Sequence, residues 1–345
     1  MLKPPTIVDV AREAGVSIKT VSRVLNRDPS VKVSTLRRVN DAIDELRYLP
    51  NLAARSLPGA RNYTIALLFE NAISDYQGKA LKGAIERCRQ AGYRVFPEPL
   101  DVTSPDQDEA LKDILRGLRV DGLILVPPLS DNPRVLAIID RSRIPYVRVS
   151  PQVDVYRSAF VKMEDERAVF EMVTYLAGLG HQRIGFIGGN SDHPSSSLRL
   201  AGYRRALDER GIAFDPDYVE PGLFTFPSGL EAAERLLAQP IPPTAIFGAN
   251  DEMALGALAQ AHRLNLHVPE DLSIAGFDDS IFSSVGWPQL TTIRQPTEEM
   301  AAEAAAILID GMARDVAEDG SATHRILPFE LVVRESTAAP RARNE

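Results

Sequence analysis

The sequence predicts a small all-helical head followed by an α/β body of two doubly wound parallel-sheet lobes, and three observations carry that prediction. Apolar residues recur at helical spacing from Thr6 to Leu46. From Tyr63 onward, short apolar runs alternate with helical periods, the order that builds parallel sheets. The charge is also divided. Residues 1–61 carry 11 Lys and Arg against 6 Asp and Glu, and the other 284 carry 28 against 41, so a head of net +5 is joined to a body of net −13. The total of −8 hides a basic head suited to phosphate and an acidic body that keeps the chain soluble and repels DNA elsewhere.

In the head, Ile7, Val10, Ala11 and Ala14 fall at i, i+3, i+4 and i+7, one stripe on a short helix that Thr6 caps and Gly15 stops. Ser17 caps a second helix, whose Val21, Val24 and Leu25 point back at the first. Ile18, Lys19, Ser22 and Arg23 are left facing outward. Two short helices joined by a tight Gly-containing turn, the second with a cationic and hydroxyl-bearing outer face, form a helix-turn-helix that lays its second helix in the major groove of DNA. The stripes alone would also fit any three-helix globular segment. Ile18 sharpens the reading, because a thymine methyl is a natural partner for an apolar residue beside a lysine and an arginine.

Ser34 or Thr35 caps a third helix whose Leu36, Val39, Ile43 and Leu46 make a seam against the first two. Tyr48-Leu49-Pro50 closes the head at residue 50, small enough to be marginal alone. Asn51 to Leu57 has room for barely two helical turns before Pro58-Gly59, and so short a helix is unstable in water, so residues 51–61 also read as a plain linker.

In the body the apolar runs are TIALLF, YRVF, GLILV, YVRV, AFVKM, IGFIG, AIFGA and LSIAGF. Helical periods lie near Gly78 to Ala91, Asp106 to Leu118, Asp165 to Leu179, Leu198 to Arg210, Ser228 to Ala238 and Asp251 to Leu264. About eleven strands are many for one open sheet, which favours two lobes. Polar clusters follow two of the strands, Gly248-Ala249-Asn250-Asp251 and Gly276-Phe277-Asp278-Asp279. Carboxylates and an amide at strand ends accept hydrogen bonds from hydroxyls in the manner that sugars require, although Asp251 reads equally well as the N-cap of the following helix.

Other chemistries are poorly supported. The single cysteine, Cys88, rules out an internal disulfide and a cysteine-built zinc site and reads as a small buried filler. There is no nucleophile elbow, no phosphate-cradling Gly-Lys-Ser/Thr loop, and no pair of histidines at metal spacing among the five, so no enzyme, cofactor or metal is expected. Gly188-Gly189 falls short of a dinucleotide fingerprint, and Ser195-Ser196-Ser197 reads as the cap of the next helix. With no signal-peptide core and no apolar run approaching membrane-spanning length, a cytoplasmic location is expected. The tail AAPRARNE is expected to be disordered.

DVAREAGVSIKTVSRVLN followed by TLRRVNDAIDELRYLPNLAARSL resembles the headpiece and hinge of the lactose/galactose-repressor family of bacterial transcription regulators, and the similarity runs through nearly the whole chain. The resemblance implies a periplasmic-binding-protein-like core over residues 62–340. Its lobes would cover about 62–160 with 293–325, and 161–291 with 326–340, joined by three crossovers with a ligand between them. It implies a homodimer, or a tetramer, on a pseudo-palindromic operator. Ile18, Lys19 and Arg23 would read bases; Thr6, Ser17, Thr20, Ser22, Asn26 and Ser34 would hold phosphates, with Tyr48 in support. The hinge would fold on DNA, pair with its twin and wedge Leu57 into the minor groove, with Asn51 and Arg55 reaching groove edges or phosphates.

In the core, Asn71, Asp75 and Tyr76 match the family's ligand-facing loop, Arg199 its effector-binding arginine, Phe224 an aromatic laid against the ligand, and Gln295 a crossover residue near the cleft. Asn250, Asp251 and Asp278 are the strand-end acceptors, and His181 matches a structural position. Two residues depart from the pattern. Arg148 stands where the family often carries an acidic or neutral polar side chain, which implies an acidic ligand or, the favoured reading, an ion pair with a cleft carboxylate such as Asp75. Val126 is apolar where some relatives place an amide, so the ligand differs from theirs. The expectation is an operator-binding repressor of carbohydrate-utilisation genes switched by a sugar. The alternatives are a phosphosugar or nucleobase effector, or a sugar-binding protein with an incidental head.

Overall fold

The structure, a computed structural model, describes residues 5–25, 28, 30–48, 61–70, 74–313 and 323–341. It divides into a unit of residues 1–62 and a unit of residues 63–345.

The first unit holds α1 (Ile7–Glu13), α2 (Ile18–Leu25) and α3 (Val33–Glu45). Thr6 opens α1, where the Asp9 carboxylate accepts from the Thr6 N–H at 2.9 Å and the Thr6 hydroxyl at 2.7 Å. Gly15 follows at φ +60°, a left-handed turn that a side chain would strain. The Ser17 hydroxyl then accepts from the Thr20 N–H at 3.1 Å and caps α2. Val10, Val21 and Val39 are wholly buried at the centre, with Ala11, Ala14, Val24, Ala42 and Tyr48 around them. Two expectations fail. α3 begins at Val33 behind Lys32, with no side-chain cap, so Ser34 and Thr35 lie inside its first turn. Leu36 is 37% exposed, because this small core closes around Val39 and Ala42 one turn further on.

In the second unit the strands are β1 (Thr64–Glu70), β2 (Arg94–Leu100), β3 (Gly122–Leu125), β4 (Tyr146–Val149), β5 (Ala159–Lys162) and β6 (Ile184–Ile187), then β7 (Val219–Glu220), β8 (Ala245–Gly248), β9 (Ser273–Asp278), β10 (Thr291–Arg294), β11 (His324–Ile326) and β12 (Glu330–Val332). Its helices are α4 (Asp75–Gln90), α5 (Gln107–Gly117), α6 (Pro133–Ser142), α7 (Asp165–Gly178), α8 (Pro194–Glu209), α9 (Phe226–Leu237), α10 (Asp251–Arg263), α11 (Ile281–Val285) and α12 (Thr297–Ala313). Among the described residues the strands form two six-stranded sheets, ordered β11-β5-β4-β3-β1-β2 and β12-β10-β9-β8-β6-β7. Every pairing is parallel except that of β10 with β12. The inner strands β3, β6 and β8 are buried along their whole length, as strands covered by helices on both faces must be.

Each sheet reverses its strand order beside the first strand laid down in it, at β1/β3 and at β6/β8. Loops leaving the carboxyl ends there diverge and open a crevice. The chain passes between the sheets after β5, after β10 and after β11. The first two crossings come a few residues later than the boundaries read from the sequence, because β5 and β10 complete their sheets before the chain leaves. Gln295 sits on the second crossing. α6, α11, α12, β7 and β10 to β12 were not marked by the sequence patterns. The tail packs as far as Arg341: the Ala338 N–H donates to the Ser273 hydroxyl at 3.0 Å, and Arg341 pairs with Asp271 at 2.6 Å. His181, buried, lies 2.8 Å from the Thr244 hydroxyl and 2.9 Å from the Ala338 carbonyl, and burial holds its imidazole below the usual value. Cys88 is buried, its thiol pushed up to about 11 by desolvation.

Candidate functional site

In the first unit the outer face of α2 presents Ile18, 48% exposed, with Lys19 and Arg23, while Ser22 is half-buried beside the buried Val21. Arg23 is already held: its Nε donates to Asp28 at 2.8 Å and a second nitrogen contacts the Ser30 hydroxyl. The Ser30 hydroxyl and the Arg23 guanidinium hold the Asp28 carboxyl well below the usual carboxylate range. Such a clamp orients the guanidinium in advance and leaves its remaining donors for a partner. The Ser17 and Thr20 hydroxyls lie 2.9 Å apart, and Tyr48 is part of the core. Asn26, Asn51, Arg55 and Leu57 lie outside the described residues.

In the second unit a cavity of about 380 Å³ opens between the carboxyl ends of the two sheets, within the range of about 300–1,000 Å³ usual for ligand sites. Asp75, Tyr76, Arg199, Phe224, Asn250, Asp251, Asp278 and Gln295 all border it. Asn71 lies outside the described residues.

Arg199 is nearly buried, and its charge is already matched. Its Nε and Nη2 donate to Asp165 at 3.0 and 2.9 Å, its Nη1 donates to the Ala249 carbonyl at 2.5 Å, and the guanidinium lies 3.8 Å from the Phe277 ring centre. Asn250, and not Asp251, caps α10: its Oδ1 accepts from the Met253 N–H at 3.0 Å, and its Nδ2 donates to the Phe224 carbonyl at 2.9 Å. Phe224 is held at φ +60°, with its ring 5.4 Å from that of His193.

Asp251 is wholly buried and accepts from the Ser280 N–H and the Thr292 hydroxyl, both at 2.6 Å, which ties α10 to the turn after β9 and to β10. Gly276 permits this approach, since a Cβ there would collide with the Asp251 carboxylate. Asp278, at φ +113°, accepts from the Gln295 side chain at 2.5 Å. Burial raises both carboxyls above their ordinary value; the Asp278 charge adds to the rise at Asp251, and the Arg199 guanidinium opposes it at Asp278.

A group whose folded value is raised binds its proton more tightly than the unfolded chain does, so stability falls as pH rises from about 4 toward neutrality. Asp251→Asn is expected to cost stability at every pH yet to flatten that decline. Urea midpoints measured across the window should show it, and equal slopes in the two proteins would refute the assignment.

For Arg148 the structure changes the partner and not the kind of interaction. It is wholly buried just outside the cavity, and the cleft carboxylate it pairs with is Asp131, which borders the cavity, and not Asp75. Its donors reach the carbonyls of Ser130 (3.2 Å), Val153 (2.9 Å), Asp154 (2.5 Å) and Val155 (3.0 Å) and the Ser158 hydroxyl (3.1 Å), with Asp131 at 3.9 Å. It organises the loop between β4 and β5. Asp75 pairs instead with Lys79 at 3.0 Å, and the same ammonium donates across the cleft to the carbonyls of Asp279 (2.6 Å) and Asp278 (3.3 Å). Tyr76 donates to the Ser150 hydroxyl at 3.4 Å.

Several bordering residues were not singled out from the sequence. Glu70 ends β1, Asn190 and His193 follow β6, and Ser280 and Phe282 follow β9. The strand-end rule that found Asn250 reaches all five. Asp165, three residues past β5, falls under the same rule, but its pairing with Arg199 exists only in three dimensions. Ser195 borders the cavity rather than capping α8; His193 precedes that helix, and Ser196 donates to the Asn190 carbonyl at 2.7 Å.

Residues 6–51 match the family described as bacterial regulatory proteins, lacI family, and residues 173–337 match the periplasmic binding protein-like domain. Over 338 residues the chain is 36% identical to the HTH-type transcriptional repressor CytR of Escherichia coli (strain K12), covering 97% of this chain and 96% of that protein. The solved structure of the lac repressor dimer bound to operator and the anti-inducer ONPF matches with a TM-score of 0.79 and 30% identity over 98% of this chain and 100% of that one. A transcriptional regulator CelR-cellobiose complex matches with a TM-score of 0.74 and 31% identity, over 96% and 99%.

Proposed function

We propose that this chain, which belongs to the lacI family of bacterial regulatory proteins and is a transcriptional repressor with a sugar-binding-type effector domain, governs carbohydrate-utilisation genes and leaves its operator when a sugar without phosphate fills the cleft. The observation that carries the ligand class is the cleft's chemistry. Asp75, Asn250 and Asp278 offer acceptors to hydroxyl donors beside the Phe224 ring, and Arg199, the one Arg or Lys among the described residues bordering the cavity, is held by Asp165. A phosphosugar would need a free cation there, and the inward burial of Arg148 weighs against it. The cellobiose bound by CelR is in keeping with a sugar.

A ligand moves the operator equilibrium only by binding the DNA-competent and incompetent arrangements of the lobes unequally. The cleft is built for that, since each lobe supplies part of its wall. With operator DNA chosen from a random library, adding the right sugar is expected to release a retarded complex. A complex insensitive to sugars but released by a phosphosugar would overturn the ligand class.

On the DNA side, a homodimer places two heads on two half-sites, as two-fold symmetry requires. Ile18, Lys19 and Arg23 read base edges; Thr6, Ser17, Thr20, Ser22, Asn26 and Ser34 hold phosphates; and Asn51, Arg55 and Leu57 act in the minor groove. Arg23→Ala is expected to lower specific affinity by about 1–3 kcal/mol and to relax preference at one base position. Equal losses on every sequence would make Arg23 a phosphate contact.

A further inference from the structure

Arg23 does not leave α2 unsupported. Its Nε donates to the Asp28 carboxylate at 2.8 Å and its Nη2 donates to the Ser30 hydroxyl, partners five and seven residues further along the chain. The other oxygen of Asp28 accepts from the Ser30 N–H at 2.9 Å and from the Ser30 hydroxyl, so carboxylate, hydroxyl and guanidinium close one ring of hydrogen bonds. The turn that carries them is fastened to the head. The Asp28 N–H donates to the Arg23 carbonyl at 3.0 Å, and the Val31 N–H donates to the Asp28 carbonyl at 3.1 Å, with Val31 packed against the core of the three helices. Both acceptors therefore hold one edge of the guanidinium, the edge formed by Nε and Nη2. The other edge, Nη1 with the outer N–H of Nη2, is left as a forked pair of donors on a side chain that is 47% exposed.

An arginine without such support has two uses on DNA. It can turn to the nearest phosphate, which adds affinity on any sequence, or present parallel donors to the O6 and N7 of guanine, which adds affinity on one. A carboxylate beside the groove opposes the first use by repelling phosphate and, by holding one edge of the guanidinium, prepares the second. We infer that Asp28 is a positioning residue for operator specificity: it fixes Arg23 with the forked edge outward and so makes guanine the base that Arg23 selects. This inference rests on the reading of Arg23 as a base contact and adds the residue that directs it. Asp28 lowers binding to DNA in general while it raises discrimination at one position.

The near-isosteric Asp28→Asn tests this in the full chain. An asparagine oxygen can still accept from the Ser30 N–H and keep the turn, but its amide then faces Nε donor to donor and opens the clamp. Fluorescence anisotropy at fixed salt compares an operator selected from a random library, its single-base variants at the position that Arg23→Ala relaxes, and an unrelated duplex. The selected base there is expected to be guanine, preferred about tenfold or more. Asp28→Asn is expected to reduce that preference to about twofold while tightening binding to the unrelated duplex, and to change the preference no further once Arg23→Ala is present. Tighter binding of every duplex by one factor would make Asp28 a repulsive charge only, and equal weakening on every duplex would make it a structural residue of the head; either overturns the inference and leaves Arg23 as a base contact. A selected base other than guanine overturns it in the same way. Equal losses on every sequence for Arg23→Ala itself would overturn both readings.

Discussion

Arg199→Ala is expected to produce a repressor that holds its operator at every effector concentration and whose core is less stable by about 3–5 kcal/mol. Both effects have one origin. The arginine supplies the charge that balances Asp165, and removing it strands a carboxylate buried at the first turn of α7. It also releases the Ala249 carbonyl, just before the Asn250 that caps α10 at the cleft wall. Operator binding without ligand should be near normal wherever the protein remains folded, because the head is a separate unit. Urea denaturation separates the causes: Asp165→Ala combined with Arg199→Ala should cost clearly less than the sum of the single changes, because the pair leaves together. Additive costs would show that the two residues act independently. Asp278→Asn is expected to remove the effector response without that loss of stability, since burial already disfavours its charge.

Arg148→Met is expected to cost a similar amount, about 3–5 kcal/mol, while changing effector affinity far less than Arg199→Ala does. Methionine fills much of the volume but donates nothing to the four carbonyls and one hydroxyl that the guanidinium holds, so the loop between β4 and β5 loses its organising centre. Arg148→Lys should recover only part of the loss, because three donors on a point charge cannot replace a planar fork. Thermal melts beside calorimetry give both readouts. A stable Arg148→Met protein that binds effector poorly would return Arg148 to the cleft.

These two arginines divide what could be read in the chain from what could not. Arg148 lies at the end of β4 and Arg199 within α8, and the resemblance marked the second as a ligand residue and the first as a departure. The difference between them is direction. Arg199 leaves α8 toward the cavity and meets Asp165 from another helix, whereas the Arg148 side chain is held behind the cavity wall by carbonyls of its own following loop and of Ser130. Alternation along a strand says that successive side chains point oppositely, but not which side faces a cleft.

The head was legible nearly residue by residue, because a helix of the length of α1 or α2 is specified by its own cap, stripe and stop, all within a few positions. The error at α3 has the same source: Lys32 precedes the helix without a side-chain cap, so no residue marked its start. In the body, alternating apolar runs and helical periods determined the class and the two sheets, and strand ends followed by Asn, Asp or Glu located the cleft wall. Local pattern could not supply the edge strands β7, β11 and β12, two or three residues each, because so short a strand exists only by pairing with its neighbour. Nor could it supply the partners of Asp165, Asp251 and Lys79. Periodicity and capping are energies of neighbouring residues, and the sequence by itself determines them; which buried charge meets which counter-charge is settled only when distant segments are brought together, and the tertiary structure alone decided that.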